Sequence, residues 1–366
     1  MAEPHGNTPA ALGFRMPAEW HLHHATWLSW PKDPETWPGR VRQVEEIYLQ
    51  MIAALTPHEL VNLLVDDAKT EQRVRERCSA ATVAGIRFHH IQTVDSWIRD
   101  YGPNFIIGPN AELAFNDWIF NAWGNKYEDL KKDDGVPLRL QPTLELERFS
   151  PGIVMEGGSI EVNGAGCVLT TEQCLLNQNR NPDLSREEIE QCLKDYLGVT
   201  KVLWLSEGIV GDDTDGHIDD LARFVAARVI VCAVEDDPAD ANYEILQDNL
   251  ARLKSMTDAA GHSIEIVTLP MPGVVGGTST GSRDLERLPA SYANFYIANN
   301  VVLAPVFGHA NDARAVDTLQ KLFPTRRIVP INCEPLVWGM GTIHCVTQQQ
   351  PLATQGTRKS WPQKGT

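Results

Sequence analysis

Along the middle of the chain, short apolar runs and amphipathic stretches alternate in a fixed order. Residues 159–162 and Cys167–Thr171 predict two strands, joined by a turn containing Asn163-Gly164. Ser185, with Glu188 three places on, predicts a capped helix start, and Gly198 predicts its stop. Lys201–Leu205 is then a short apolar strand. The order strand, strand, helix, strand returns with 220–226, Val229–Val234, a helix over 239–260 ended by Gly261, and 264–269. It returns again with 292–298, Val301–Val306, a helix after Asn311, and Arg327–Asn332. Toward the N-terminus a helix over Val41–Leu55 and a strand Leu60–Val65 precede the strand pair Asn104–Ile107 and 112–116.

These units share an order of elements rather than residues, and five of about 73 residues fill the 366-residue chain. The pattern predicts one pseudo-symmetric α/β domain over 1–366, with fraying ends at 1–12 and 354–366. The Gly-rich, charged stretch 272–289 reads as a covering loop.

Composition excludes more than it identifies. Hydrophobic residues at 43% and charged residues at 22% supply a large core and rule out disordered, collagen-like and coiled-coil chains. The excess of 48 Asp+Glu over 32 Lys+Arg gives −16, a field that repels nucleic acid and anionic membranes and favours cationic ligands. No apolar run approaches the ~20 residues that span a bilayer; the best, 225–234, is interrupted by Arg228. No signal peptide is readable at the N-terminus. Seven cysteines without a CxxC pair argue against a disulfide framework or a thiolate zinc site, and for a reducing cytoplasm.

Four polar segments sit where a strand is about to begin. They are Asp95-Ser96-Trp97-Ile98-Arg99-Asp100, Met155-Glu156-Gly157-Gly158-Ser159, the run from Asp212 to Asp220, and the run from Trp338 to Cys345. Repeats packed around an axis bring equivalent positions together, which predicts convergence of Asp100, Glu156, His217, Asp219 and Cys345. Such a set suits a planar guanidinium. Two carboxylates, Asp100 and Asp219, can grip its N–H fork. That grip presents the central carbon to a thiolate, with Cys345 as candidate nucleophile. His217 is the candidate acid and base for the departing ammonia and the attacking water. Glu156 is the candidate orienter of His217. Trp97 is a candidate substrate contact, and Asp213 and Asp215 are candidate partners for a free amine on the ligand.

Each piece also has a plain structural reading. Cys345 can be a buried small hydrophobe, Asp100 and Asp219 can be strand-end caps, and Glu156 can begin a turn. His344 points away from Cys345 if the segment is extended, which makes it structural. His21, His23 and His24 read as solvated or core histidines rather than a metal cluster. Trp20, Trp27, Trp30 and Trp37 read as packing residues. Asp215-x-His217-x-Asp219 also fits one half of a binuclear manganese site of the ureohydrolase kind, but the second DxDxxD cluster such a site needs is missing from the sequence.

Taken together, these segments resemble the agmatine deiminase / bacterial peptidyl-arginine deiminase-like family of the guanidine-modifying (pentein) superfamily. The resemblance runs from Met16 to Pro351. It is carried by Trp27-Leu28-Ser29-Trp30-Pro31, the segment from Asp95 to Pro103, Glu156-Gly157-Gly158-Ser159, Leu175-Leu176-Asn177, Gly216-His217-Ile218-Asp219, the run from Tyr292 to Asn299, and Ile343-His344-Cys345. It implies a five-bladed α/β propeller of ββαβ-type units with the active site on the axis and neither metal nor cofactor. It implies Cys345 as nucleophile, His217 as acid/base, Asp100 and Asp219 as guanidinium ligands, and Glu156 as the carboxylate near the histidine. The implied reaction converts agmatine to N-carbamoylputrescine and ammonia through an S-alkylthiouronium. The same machinery acting on arginine, peptidyl-arginine or another alkylguanidine is the alternative, followed by a manganese ureohydrolase or a non-catalytic guanidine-binding protein. Expected partners are a small cationic guanidine, no nucleic acid and no membrane, with a homodimer as the assembly considered. Two departures stand beside the site. The family commonly has Gly-Gly-Gly-Asn where this chain has Gly339-Met340-Gly341-Thr342, and Glu and Asn where it has Asp213 and Asp215.

Overall fold

The computed structural model describes residues 7–276 and 287–353. Within them the chain forms five separate small sheets, the blades of an α/β propeller. The first holds β1 (His23–Ser29), β2 (Leu60–Val65) and β3 (Ile86–His90). The second holds β4 (Asn104–Ile107), β5 (Leu113–Asn116) and β6 (Glu147–Phe149), and the third β7 (Glu161–Val162), β8 (Cys167–Thr171) and β9 (Lys201–Leu205). The fourth holds β10 (Ala222–Ala226), β11 (Val229–Val234) and β12 (Glu265–Pro270), and the fifth β13 (Tyr296–Ile297), β14 (Val301–Val306) and β15 (Arg327–Asn332). In the last four sheets the first strand is antiparallel to the second and the second is parallel to the third.

The first blade is closed by the far end of the chain. A last strand, β16 (Gln348–Pro351), pairs antiparallel with β1, which pairs parallel with β2. Thus β16, β1 and β2 repeat the pattern of the other blades, and β3 is an addition. This corrects the N-terminal assignment made from sequence, which paired the helix and strand at 41–65 with the hairpin that in fact opens the second blade. β1 and β16 were not readable as strands. β16 is Gln-Gln-Gln-Pro, and its amides are met by tertiary partners: buried Gln349 accepts from Arg99 at 2.7 Å and half-buried Gln350 from Trp27 Nε1 at 2.9 Å.

Local signals fixed most other elements. The third-blade helix, Arg186–Leu197, starts on a Ser185/Glu188 capping box and stops at Gly198, whose φ of 65° suits glycine. Helix Val41–Leu55 buries Val44, Ile47, Tyr48, Met51, Ile52 and Leu55, the one-face spacing of an amphipathic helix packed on a sheet. The central strands β8, β11 and β14 are apolar and almost wholly buried, as expected for strands covered on both faces.

Other expectations shift. The fourth-blade helix is shorter than the 239–260 pattern suggested, spanning Tyr243–Ser255. The strand expected over 292–298 shrinks to Tyr296–Ile297, with Tyr292 and Ala293 in a turn. Residues 7–12 do not fray: Thr8 is buried, and the amide of Ala10 donates to the carbonyl of Asp195 at 2.9 Å. Residues 1–6 and 354–366, and the middle of the expected covering loop, 277–286, lie outside the described residues. Among the described residues no helix is long and apolar enough to cross a membrane.

Candidate active site

Every blade sends one short turn toward the same place, from just ahead of its first strand. The helical turn Ile98–Tyr101 precedes β4, Gly157–Ser159 precedes β7, and Ile218–Asp220 precedes β10. The turn Gly157–Ser159 packs against each of the other two. Asn294 precedes β13, and Cys345 lies in the turn ahead of β16. The predicted convergence is therefore real, and all five predicted residues, Asp100, Glu156, His217, Asp219 and Cys345, are buried in it.

Gly158 marks the centre. A β-carbon there would lie 2.6 Å from Nδ1 of His217, 2.9 Å from Oδ1 of Asp100 and 3.1 Å from Oδ2 of Asp219. The glycine pair after Glu156 thus does more than begin a turn: it lets three candidate side chains close over bare backbone, and the Gly158 amide donates to Asp100 at 2.9 Å. Gly341 has the same role beside the thiol, where a β-carbon would meet the Trp97 ring at 2.7 Å and the Cys345 sulfur at 3.2 Å. Trp97 accordingly stands next to Cys345, with its indole N–H donated to Asp95 at 2.9 Å.

His217 stands 3.9 Å from Asp100 and, through Nε2, 4.0 Å from Glu156. Neither ring nitrogen has a hydrogen-bond partner among the described residues, and neither does Oδ1 of Asp219. Unpartnered polar atoms in a buried cluster mark where a polar ligand makes its bonds. Glu156 is less devoted to His217 than the sequence suggested, because its Oε1 takes the Nε of Arg180 at 2.7 Å.

The electrostatics follow from crowding carboxylates with little solvent. Burial lifts Asp100 to about 6; Asp219 and Glu156 push the same way, while His217 and the Trp123 N–H, 2.9 Å away, oppose them. Burial works against a charged His217, yet Asp100, the adjoining Cys174 thiol and Glu156 hold it well above the ordinary imidazole range. Burial and then the fields of Asp219, Asp220 and Asp100 push the Cys345 thiol well up. Burial acts against an ionised Asp219, but His344, His217 and Arg223 keep it below the usual carboxylate range. The site is built to receive positive charge.

Three residues that sequence reasoning missed complete the arrangement. Asn294 places Nδ2 3.2 Å from the Cys345 sulfur; its position ahead of a first strand was the available signal. Trp123, held to Asp100, sits in a run of positive φ from Ala122 to Asn125 (55°, 53°, 87° and 65°), a left-handed turn invisible to periodicity. His344 was expected to face away; because its segment turns instead of extending, its ring lies 2.7 Å from Asp219.

Asp213 and Asp215 lie on the loop ahead of His217 and are already paired. Lys126 reaches both, at 3.4 and 2.9 Å, and Asp215 also takes Arg180 at 2.6 Å. The Asp-x-His-x-Asp run does not gather its side chains into one cluster: Asp215 turns to Lys126 and Arg180, and Asp219 to His344. The group with metal-ligand spacing found among the described residues is Glu156, Cys174 and His217, whose donor atoms lie within 4.8 Å of one another; there the Arg180 cation already answers the Glu156 charge. His23 is a core histidine, between Glu59 at 3.2 Å and the carbonyl of Glu19 at 2.7 Å.

Comparison with known proteins agrees with this geometry. A family model described as Porphyromonas-type peptidyl-arginine deiminase matches residues 15–351. The chain is similar to the agmatine deiminase of Ectopseudomonas mendocina, 39% identical, covering 95% of this chain and 98% of that protein. It is similar to the agmatine deiminase of Stutzerimonas stutzeri, 38% identical, covering 94% and 97%. The solved structure of the agmatine deiminase of Enterococcus faecalis superimposes with a TM-score of 0.87 at 36% identity, covering 96% of this chain and 99% of that one.

Proposed function

Because the chain belongs to the Porphyromonas-type peptidyl-arginine deiminase family, we infer that it is a hydrolase of linear amidines that converts agmatine and water to N-carbamoylputrescine and ammonia. The observation that carries this reading is the meeting of a thiol, an imidazole and two carboxylates around Gly158, in a chain whose relatives are agmatine deiminases over nearly their whole length.

Asp100 and Asp219 grip the N–H groups of the guanidinium and hold its central carbon toward Cys345. The negative field that raises the thiol is offset when the cation is seated, so substrate binding itself favours release of the thiol proton to solvent. The thiolate attacks the guanidinium carbon. His217, as imidazolium, passes a proton to one amino nitrogen, the C–N bond breaks, and ammonia leaves a covalent S-alkylthiouronium. His217, now neutral, takes a proton from water as its oxygen attacks the same carbon. The C–S bond then breaks, Cys345 is regenerated, and the ureido product departs. Glu156, itself anchored on Arg180, faces the imidazolium at 4.0 Å and orients it.

Among the described residues, the state of the nearby cations favours agmatine over arginine. An α-carboxylate needs a free positive partner, yet Arg99 is engaged by Gln349 and Glu19, Arg180 by Glu156 and Asp215, and Lys126 by Asp213 and Asp215. Seven free thiols support a reducing, cytoplasmic setting. The test is product analysis with agmatine, arginine and a peptidyl-arginine. Ammonia with N-carbamoylputrescine, unaffected by EDTA, is the expected outcome; urea, or activity lost in EDTA and restored by manganese, overturns the reading.

A further inference from the structure

The turn that carries Cys345 also sets a second imidazole against the guanidinium clamp. His344 Nδ1 lies 2.7 Å from Oδ2 of Asp219, and Nε2 lies 2.8 Å from Oε2 of Glu19, with the ring buried. Both neighbours are carboxylate oxygens, which accept, so each bond is made by an N–H of the ring. Glu19 is in turn fixed by Arg223 at 2.9 Å and Arg99 at 3.5 Å, and Arg99 Nε donates to the His344 carbonyl at 3.3 Å. At the other end of the chain of bonds, Oδ2 of Asp219 is taken while Oδ1 is buried and has no partner among the described residues.

We propose that His344 is a positioning residue for the clamp: anchored on Glu19 through Nε2, it donates from Nδ1 to Oδ2 of Asp219 and so presents Oδ1 to the guanidinium. The proposal rests on the deiminase reading of the site. A carboxylate held by one oxygen does not rotate to meet the substrate, and it pays no reorganisation when the substrate arrives. Asp219 is also faced by His217, Arg223, Asp220, Asp100 and the Cys345 thiol. His344 is also faced by Glu161. The effect of His344 is therefore read as a difference between variants that leave those groups in place.

Two substitutions separate its two bonds. In His344→Asn the amide nitrogen takes the place of Nδ1 and keeps the donation to Asp219. In His344→Gln the amide reaches the place of Nε2 and keeps only the link to Glu19. With agmatine, His344→Gln is expected to raise KM about tenfold or more. It is also expected to move the acidic limb of kcat/KM to higher pH, because Asp219, without the donor that favours its charged form, rises to join Asp100 in setting that limb. His344→Asn is expected to restore most of both. Unchanged KM and superposable acidic limbs in all three proteins overturn the proposal, as does an equal loss in both variants. Should neither variant fold, 15N NMR of the histidine-labelled wild-type protein decides: a proton on Nδ1 of His344 is required, and a bare Nδ1 overturns it. Wild-type turnover of agmatine, measured alongside, tests the deiminase reading separately, and the NMR result stands whatever that turnover is.

Discussion

The side-chain amide of Asn294 lies 3.2 Å from the sulfur of Cys345 and organises the turn around it. The same nitrogen reaches Oδ1 of Asp220 at 3.1 Å, while the amide oxygen accepts from Thr342 Oγ1 at 2.7 Å and from the backbone N–H of His344 at 2.9 Å. Asn294 thus comes from the fifth blade to hold a residue that precedes the closing strand of the first.

A thiolate at Cys345 gains from an N–H donor at that distance, since hydrogen bonds to charged groups contribute about 1.5–3 kcal/mol. Asn294→Ala is therefore expected to lower kcat with agmatine about 10- to 100-fold and to slow alkylation of Cys345 by iodoacetamide. Alkylation at the wild-type rate in a folded variant counts against the role.

Asp100 ionises at about 6, above its ordinary range because burial penalises its charge. Below that pH it is neutral and grips a cation poorly, so kcat/KM is expected to rise with pH through about 6. The Trp123 N–H stabilises the charged form. Removing it in Trp123→Phe raises the carboxyl further and moves the limb upward by about one unit. A downward or absent shift in the pH–rate profile contradicts the assignment.

Gly158→Ala places a methyl where His217, Asp100 and Asp219 converge, at 2.6, 2.9 and 3.1 Å. Displacing three reacting groups together is expected to cost about 100-fold or more in kcat/KM. The cost in stability should be only about 1–3 kcal/mol. Steady-state kinetics beside a urea titration separate the two, and near wild-type activity would mean the substrate sits elsewhere.

Met340 has φ of +73°, a left-handed conformation that glycine adopts without strain and a side chain with a β-carbon does not. Met340→Gly is expected to fold within about 0.5 kcal/mol of wild type, as relief of strain offsets lost packing and chain entropy. Met340→Ile, branched at the β-carbon, is expected to cost about 1–2 kcal/mol in urea unfolding. Equal midpoints for the two variants would remove the strain argument.

The repeat and the candidate site were legible for one reason: the candidate side chains sit immediately ahead of first strands. That logic located Asp100, Glu156, His217 and Asp219, and it applies equally to Asn294, which an overlong strand over 292–298 concealed, and to Cys345, whose following strand the sequence did not show. What remained hidden depends on contacts distant in sequence. The polar strand Gln348–Pro351 becomes a strand only by pairing with His23–Ser29. Glu156 meets Arg180, and Trp123 reaches Asp100 from a left-handed turn. His344 was misplaced because alternation of faces holds in extended chain, and this segment turns.

The central claim is covalent chemistry at Cys345, and mass spectrometry of enzyme quenched in acid during turnover of agmatine tests it most directly. The account predicts an adduct equal to agmatine less one ammonia, mapped to the peptide containing Cys345. An adduct on another cysteine, or an unmodified Cys345 in enzyme whose Cys345→Ser variant turns over agmatine at a near wild-type rate, would contradict it.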